Sequence, residues 1–202
     1  MASSAKPALE ISAPAAKIAN PAPLGLAAFG VTTVVLSSIN AGLLPASAVA
    51  AVVPLAFAFG GVAQLITGIL EYANGNTFGT VAFTSYGAFW CWYSLLVWTI
   101  GAGWIKPPDP AGVGTALAMW GVFTFYLWVC TFKSNKVIFT TFLFLWITFF
   151  LLASGDYGWA LGKKLGGIVG LATGVVALYA SFAEVLNATF GKEALPLGKP
   201  IL

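Results

Sequence analysis

The run VIFTTFLFLWITFFLLA, Val137–Ala153, carries no charged residue and by itself nearly spans the hydrocarbon core of a bilayer, which takes about 20 mainly apolar residues in helical form. Working outward from it, five more such runs appear: Leu24–Leu44, Ala48–Leu70, Phe78–Ile105, Ala111–Phe132 and Leu165–Leu186. Backbone amides in lipid must be satisfied within their own segment, so each run reads as a helix. The expected fold is an all-α integral membrane protein with six transmembrane helices, located in the cell membrane as a multi-pass chain.

Composition agrees and excludes other classes. Of 202 residues, 59% are hydrophobic and 7% charged, whereas a soluble domain carries roughly a quarter charged residues. A soluble globular enzyme cannot be built this way. The chain has no His and no Arg, and its two Cys, Cys91 and Cys130, lie far apart in apolar surroundings. That leaves no neutral-pH acid–base switch and no zinc or iron–sulfur cage. No phosphate loop or dinucleotide fingerprint is present, so no cofactor is expected. The net charge of +3 comes from scattered Lys, which excludes a nucleic-acid-binding patch. Composition points to membrane lipid as a partner and to a protein that is not an enzyme.

Three segments follow: residues 1–19 as a flexible N-terminal tail rich in Ala, Ser, Pro and Lys, residues 20–189 as the transmembrane domain, and residues 190–202 as a C-terminal tail. The N-terminal tail has no apolar core ahead of a cleavage site and does not read as a signal peptide. With both termini in the cytoplasm, Lys6, Lys17, Lys133, Lys136, Lys192 and Lys199 fall inside, against Lys106, Lys163 and Lys164 outside. The positive-inside rule favours that orientation.

Local signals mark the boundaries. Asn20-Pro21 suits the start of the first helix, with Asn as N-cap and Pro in the first turn. Lys106-Pro-Pro-Asp-Pro110 must end the third. Gly162, Gly166, Gly170 and Gly174 recur every four residues, a stripe that lets helices approach closely, either within one subunit or between subunits. An internal echo joins Glu71-x-x-Asn74 to Glu184-x-x-Asn187, each preceded by a Gly-Gly pair and a Thr-Gly pair. Both Glu then lie near the cytoplasmic face.

The central spans hold no Lys, Asp or Glu near mid-depth, where such groups mark proton relays and ion paths. Hydroxyls and amides remain: Thr32, Thr33, Ser37, Ser38 and Asn40 in the first span, Gln64 in the second, and Thr80, Thr84, Ser85 and Tyr86 in the third. These can donate hydrogen bonds to a small solute without a fixed charge. Glu71 and Glu184 either satisfy exposed amides or pair with a Lys such as Lys133 or Lys136, or they act in gating or proton coupling. The aromatic group Phe83, Tyr86, Phe89, Trp90, Trp92 and Tyr93 reads as packing and interface anchoring.

Specific strings then narrow the field. Asn20-Pro-Ala-Pro-Leu-Gly-Leu26 with Phe29-Gly30, Gly60-Gly61-Val-Ala-Gln64, Leu70-Glu-Tyr-x-x-Gly-Asn-Thr-Phe-Gly79, Ala82-Phe-Thr-Ser-Tyr-Gly87 with Phe89-Trp90, Trp120-Gly-Val-Phe-Thr124 and Ala183-Glu-Val-Leu-Asn187 occur in this order. Together they resemble the acetate uptake transporter family, also called the SatP or YaaH family. The resemblance implies a six-helix protein that moves acetate, succinate or related short carboxylates and forms a homo-hexamer, each subunit enclosing its own narrow pathway. It implies a constriction at Phe29, Tyr86 and Leu145, with Ala177 controlling how bulky a solute passes. Thr33, Gln64, Ser85 and the Tyr86 hydroxyl are the expected solute-binding groups. Asn20, Pro21, Glu71 and Glu184 mark the cytoplasmic mouth, where unpaired N–H groups at the helix start would attract an anion. Channel-like passage and proton symport both fit the sequence. A channel for small neutral solutes such as amides or ammonia shares the six-helix form and the lack of central charge.

Overall fold

The computed structural model describes residues 19–202; the expected N-terminal tail up to residue 18 lies outside the described residues. Those described form helices and connections, with no strand among them. In chain order the helices are α1 (Ala22–Asn40), α2 (Ala46–Ala73), α3 (Thr77–Gly101), α4 (Pro110–Cys130), α5 (Lys136–Asp156) and α6 (Gly162–Phe190). Five of them are long and apolar enough to cross a membrane: α1, α2, α4 with the turn after it, α5 and α6. The other, α3, has 25 residues, but Gly, Ser, Thr and Tyr dilute its apolar character. Large apolar side chains such as Ile69, Met119, Val175 and Phe182 stand exposed on the outside, a pattern that suits a lipid solvent.

Short polar residues punctuate the chain as capping chemistry requires. Asn76 Oδ1 accepts from the Gly79 N–H at 3.0 Å, Asp109 Oδ1 from Ala111 at 2.8 Å, and Asn135 Oδ1 from Ile138 at 2.9 Å. These caps open α3, α4 and α5. At the first helix the motif sits one position differently from expectation. The helix starts at Ala22 with Pro21 before it, and Asn20 caps from further out, accepting from the Ala22 N–H at 3.0 Å.

Consecutive helices are neighbours and α6 returns to α1, so the six close a ring. Small residues set the tight side of that ring. A Cβ at Gly174 would meet Val34 and the Gly30 carbonyl of α1, and one at Gly166 would meet Leu152 of α5. Gly170 lies between Ser37 and Thr148, and Gly162 against Ser154 and Gly155. The expected glycine stripe therefore serves contacts inside one chain, letting α6 seat between α1 and α5. Across the ring, α3 and α4 stand further apart and aromatic rings fill the gap. Phe89 meets Trp120 edge-on at 5.3 Å between centroids, and Tyr86 meets Phe123 at 5.7 Å.

Helix α2 is irregular. Pro54 lies inside it, and the turns Ala56–Ala63 are π-helical before regular α-helix resumes at Gln64. Proline removes one intrahelical donor, and π segments are rare and concentrate at functional sites. Ser94 Oγ of α3 donates to the Val53 carbonyl at 3.1 Å beside this break.

The C-terminal segment folds back on the chain. Asn187 Oδ1 accepts from Ala194 and Leu195, Tyr179 Oη donates to the Pro196 carbonyl, and the Val137 N–H donates to the Leu197 carbonyl. Ile201 and Leu202 then donate to the Phe132 carbonyl at 3.1 and 3.0 Å. The segment thus straps the turn between α4 and α5.

Candidate functional site

The ring encloses a cavity of about 160 Å³ at the end where α1, α3 and α5 begin. It is smaller than the roughly 300–1,000 Å³ of a drug-sized pocket, so it suits a small solute. Its lining steps inward one turn at a time: Ala22, Leu26 and Phe29 on α1; Phe78, Ala82 and Tyr86 on α3; Ile138, Phe142 and Leu145 on α5. Seven residues at 1.5 Å each make it about 10 Å deep from Ala22 to Phe29. The deepest lining residues of these three helices are Phe29, Tyr86 and Leu145, the residues expected to form the constriction.

The inner end is aromatic and buried. Phe29 and Tyr86 stand 5.9 Å apart between ring centroids, with Phe142 at 6.0 Å from Tyr86. Phe29, Tyr86, Leu145 and Phe142 are all buried, and Ala177 belongs to the same buried cluster without lining the cavity. The Tyr86 hydroxyl, one of the expected solute-binding groups, donates its hydrogen to Thr124 Oγ1 at 3.0 Å.

Polar groups on the wall include Gln64 and Glu71 of α2, Glu184 of α6 and Thr141 of α5, with Asn76, Ser134 and Asn135 at the starts of α3 and α5. Gln64 is fully buried, lines the cavity, and has no partner for either Oε1 or Nε2. A buried amide left unpaired is costly, so its free donor and acceptor are the strongest sign of a ligand. The π segment ends at Gln64.

Glu71 and Glu184 line the same cavity, so the two echoed carboxylates meet at its wide end. Of the two expected partners, side-chain amides rather than Lys133 or Lys136 are what these carboxylates take. Asn76 Nδ2 donates to Glu71 Oε2 at 2.9 Å, and Asn20 Nδ2 donates to Glu184 Oε2 at 3.0 Å. The ion pair among the described residues is Lys163–Asp156 at 2.6 Å, at the opposite end of the ring. The physical reason is reach: the amides sit at adjoining helix starts and satisfy the carboxylates locally. Glu71 is 2% exposed and its Oε1 has no partner.

The start of α1 also departs from expectation. Pro21 and Pro23 have no N–H, Asn20 Oδ1 occupies that of Ala22, and Leu24 donates to the Pro21 carbonyl at 3.1 Å. No N–H group of the first turn is left unpaired for an anion. Of the other expected solute-binding groups, Thr33 and Ser85 do not line this cavity. Thr33 is nonetheless buried with an unpartnered Oγ1, unlike Thr32, whose hydroxyl donates to the Ala28 carbonyl. Sequence reasoning missed Phe142, Asn76 and Asn135, which line the cavity. The two Asn precede helices that they cap, a signal that could have found them, but nothing local distinguishes Phe142 from its apolar neighbours.

Comparison with known proteins adds a consistent set of relatives. The model of the GPR1/FUN34/yaaH family matches residues 2–197. The chain is 40% identical to the succinate-acetate/proton symporter SatP of Escherichia coli, over 91% of this chain and 97% of that one. It is 38% identical to acetate permease A of Emericella nidulans, over 95% of this chain and 70% of the relative. The solved structure of the bacterial acetate channel SatP superposes with a TM-score of 0.86 at 40% identity, covering 90% of this chain and all of that one.

Proposed function

This chain belongs to the GPR1/FUN34/yaaH family, and on that premise we propose that it carries acetate and related short carboxylates, succinate included, across a membrane through a narrow pathway within each subunit. The observation that carries the proposal is the unpartnered Gln64 amide facing a small cavity whose inner end is Phe29, Tyr86 and Leu145. Acetate is one methyl and one carboxylate. An apolar constriction accommodates the first, and the Gln64 N–H donors replace water around the second. Phe29, Tyr86 and Leu145 set the width, and Ala177, fully buried behind them, limits the bulk that passes. Thr33 and Ser85 serve the carboxylate beyond the cavity. Asn20, Pro21, Glu71 and Glu184 form the mouth.

The transporting unit has six membrane-spanning helices with both termini in the cytoplasm. Supporting this, Lys133, Lys136, Lys192 and Lys199 lie at the cavity end of the ring, against Lys106, Lys163 and Lys164 at the other, as the positive-inside rule asks. The wide end of the cavity then opens inward. The subunits assemble as a homo-hexamer surrounded by lipid.

Reconstituted protein, assayed for uptake of labelled acetate, succinate, lactate and urea against protein-free vesicles, tests the function. Saturable acetate uptake is expected; its absence overturns the proposal. A second reading, a channel for small neutral solutes, is favoured by one observation: no Lys lines the cavity, while two carboxylates do. Urea flux equal to acetate flux would select it. Acetate accumulation driven by a pH gradient at clamped voltage separates proton symport, through the substrate or through Glu71 or Glu184, from channel-like passage.

A further inference from the structure

We propose that Thr124, a residue of α4 that does not touch the cavity, is the positioning residue of the constriction and sets its width through Tyr86. The inference rests on the reading of Tyr86 as part of the constriction.

The Tyr86 ring is bordered by Phe29 of α1, Phe142 of α5, and Trp120 and Phe123 of α4, at centroid separations of 5.9, 6.0, 6.2 and 5.7 Å. Ring contacts of this kind favour certain tilts but leave rotation about the side-chain bonds soft. The hydroxyl removes that freedom. It donates to Thr124 Oγ1 at 3.0 Å, and Thr124 donates in turn to the Trp120 carbonyl at 2.7 Å. A threonine hydroxyl has one hydrogen. With that hydrogen on Trp120, Thr124 faces Tyr86 as an acceptor, and the Tyr86 hydrogen is committed to it. Thr124 is fully buried and Tyr86 is 3% exposed, so water does not compete for either group.

The relay spans the side of the ring where α3 and α4 are held mainly by aromatic side chains. One hydrogen bond therefore ties the constriction to α4. The tyrosine oxygen acts as a tether for the ring, while the solute meets the ring itself.

The test uses initial uptake of lactate relative to acetate in liposomes holding the full chain. Thr124→Val keeps the shape and removes the acceptor. The lactate-to-acetate ratio should rise about fivefold, the factor that one hydrogen bond of typical net strength supplies. Thr124→Ser restores the acceptor and returns the ratio to wild type, which a loss of packing alone would not do. In a Tyr86→Phe background, Thr124→Val should change the ratio no further. A wild-type ratio in Thr124→Val, alongside an altered ratio in Tyr86→Ala, overturns the role of Thr124 and leaves the constriction standing. An unaltered ratio in Tyr86→Ala removes the constriction itself, and the inference with it.

Discussion

The Asn20 side-chain amide donates to the Glu184 carboxylate at 3.0 Å, joining the start of the first helix to the end of the last across 164 positions of sequence. The same side chain caps Ala22 through its oxygen. Asn20→Ala should therefore lower stability by about 1 kcal/mol, the usual cost of a lost cap. Asn20→Asp keeps the cap acceptor but turns a donor into a second carboxylate beside Glu184, and should lower stability further. Thermal unfolding of the detergent-solubilised variants orders them.

Gln64 separates folding from function. Its amide has no protein partner, so Gln64→Leu removes an unsatisfied buried group and should leave the melting temperature unchanged or raised. Acetate uptake should fall severely in the same variant. Loss of both properties together would mark Gln64 as a folding residue.

Leu145→Ala opens the inner end of the cavity. The substitution should cost about 2–5 kcal/mol of stability, as large-to-small changes in buried positions do, and admit lactate alongside acetate. Uptake competition between the two acids measures the second effect; unchanged selectivity removes Leu145 from the constriction.

Two glycines in regular helix make a matched pair. A Cβ at Gly167 would meet the backbone of Asn40 and Ala41, where neither partner can give way. Gly167→Ala should prevent α6 from seating on α1 and reduce the yield of folded protein sharply. Gly112 has open space around its Cβ position, so Gly112→Ala should stabilise by up to about 1 kcal/mol through helix propensity. Expression yield and thermal unfolding compare the two.

Much of the fold was legible because its signals are local. The turn Lys106-Pro-Pro-Asp-Pro110 had to end the third helix, and α3 stops ahead of it at Gly101; the apolar run Val137–Ala153 lies wholly within α5. The candidate site was only partly legible. Phe29, Tyr86, Leu145, Gln64, Glu71 and Glu184 do line one cavity, but their partners depend on how each helix is rotated. The π segment in α2 was not foreseen, since Pro54 announces a disturbance without saying how the backbone absorbs it. That segment ends at Gln64, whose rotation about α2 follows from it.

By itself the sequence determined the solvent and the parts: runs too apolar for water, punctuated by caps and turns, with the charges kept near helix ends. Those properties follow from hydration and backbone hydrogen bonding, which act within a few residues. Ring closure decided the rest. It set amides rather than lysines against Glu71 and Glu184, took the free N–H groups from the first turn of α1, turned the Tyr86 hydroxyl onto Thr124, and left Gln64 facing the cavity without a protein partner. Each is a choice between partners far apart in the chain, and only the packed helices bring one of them within reach.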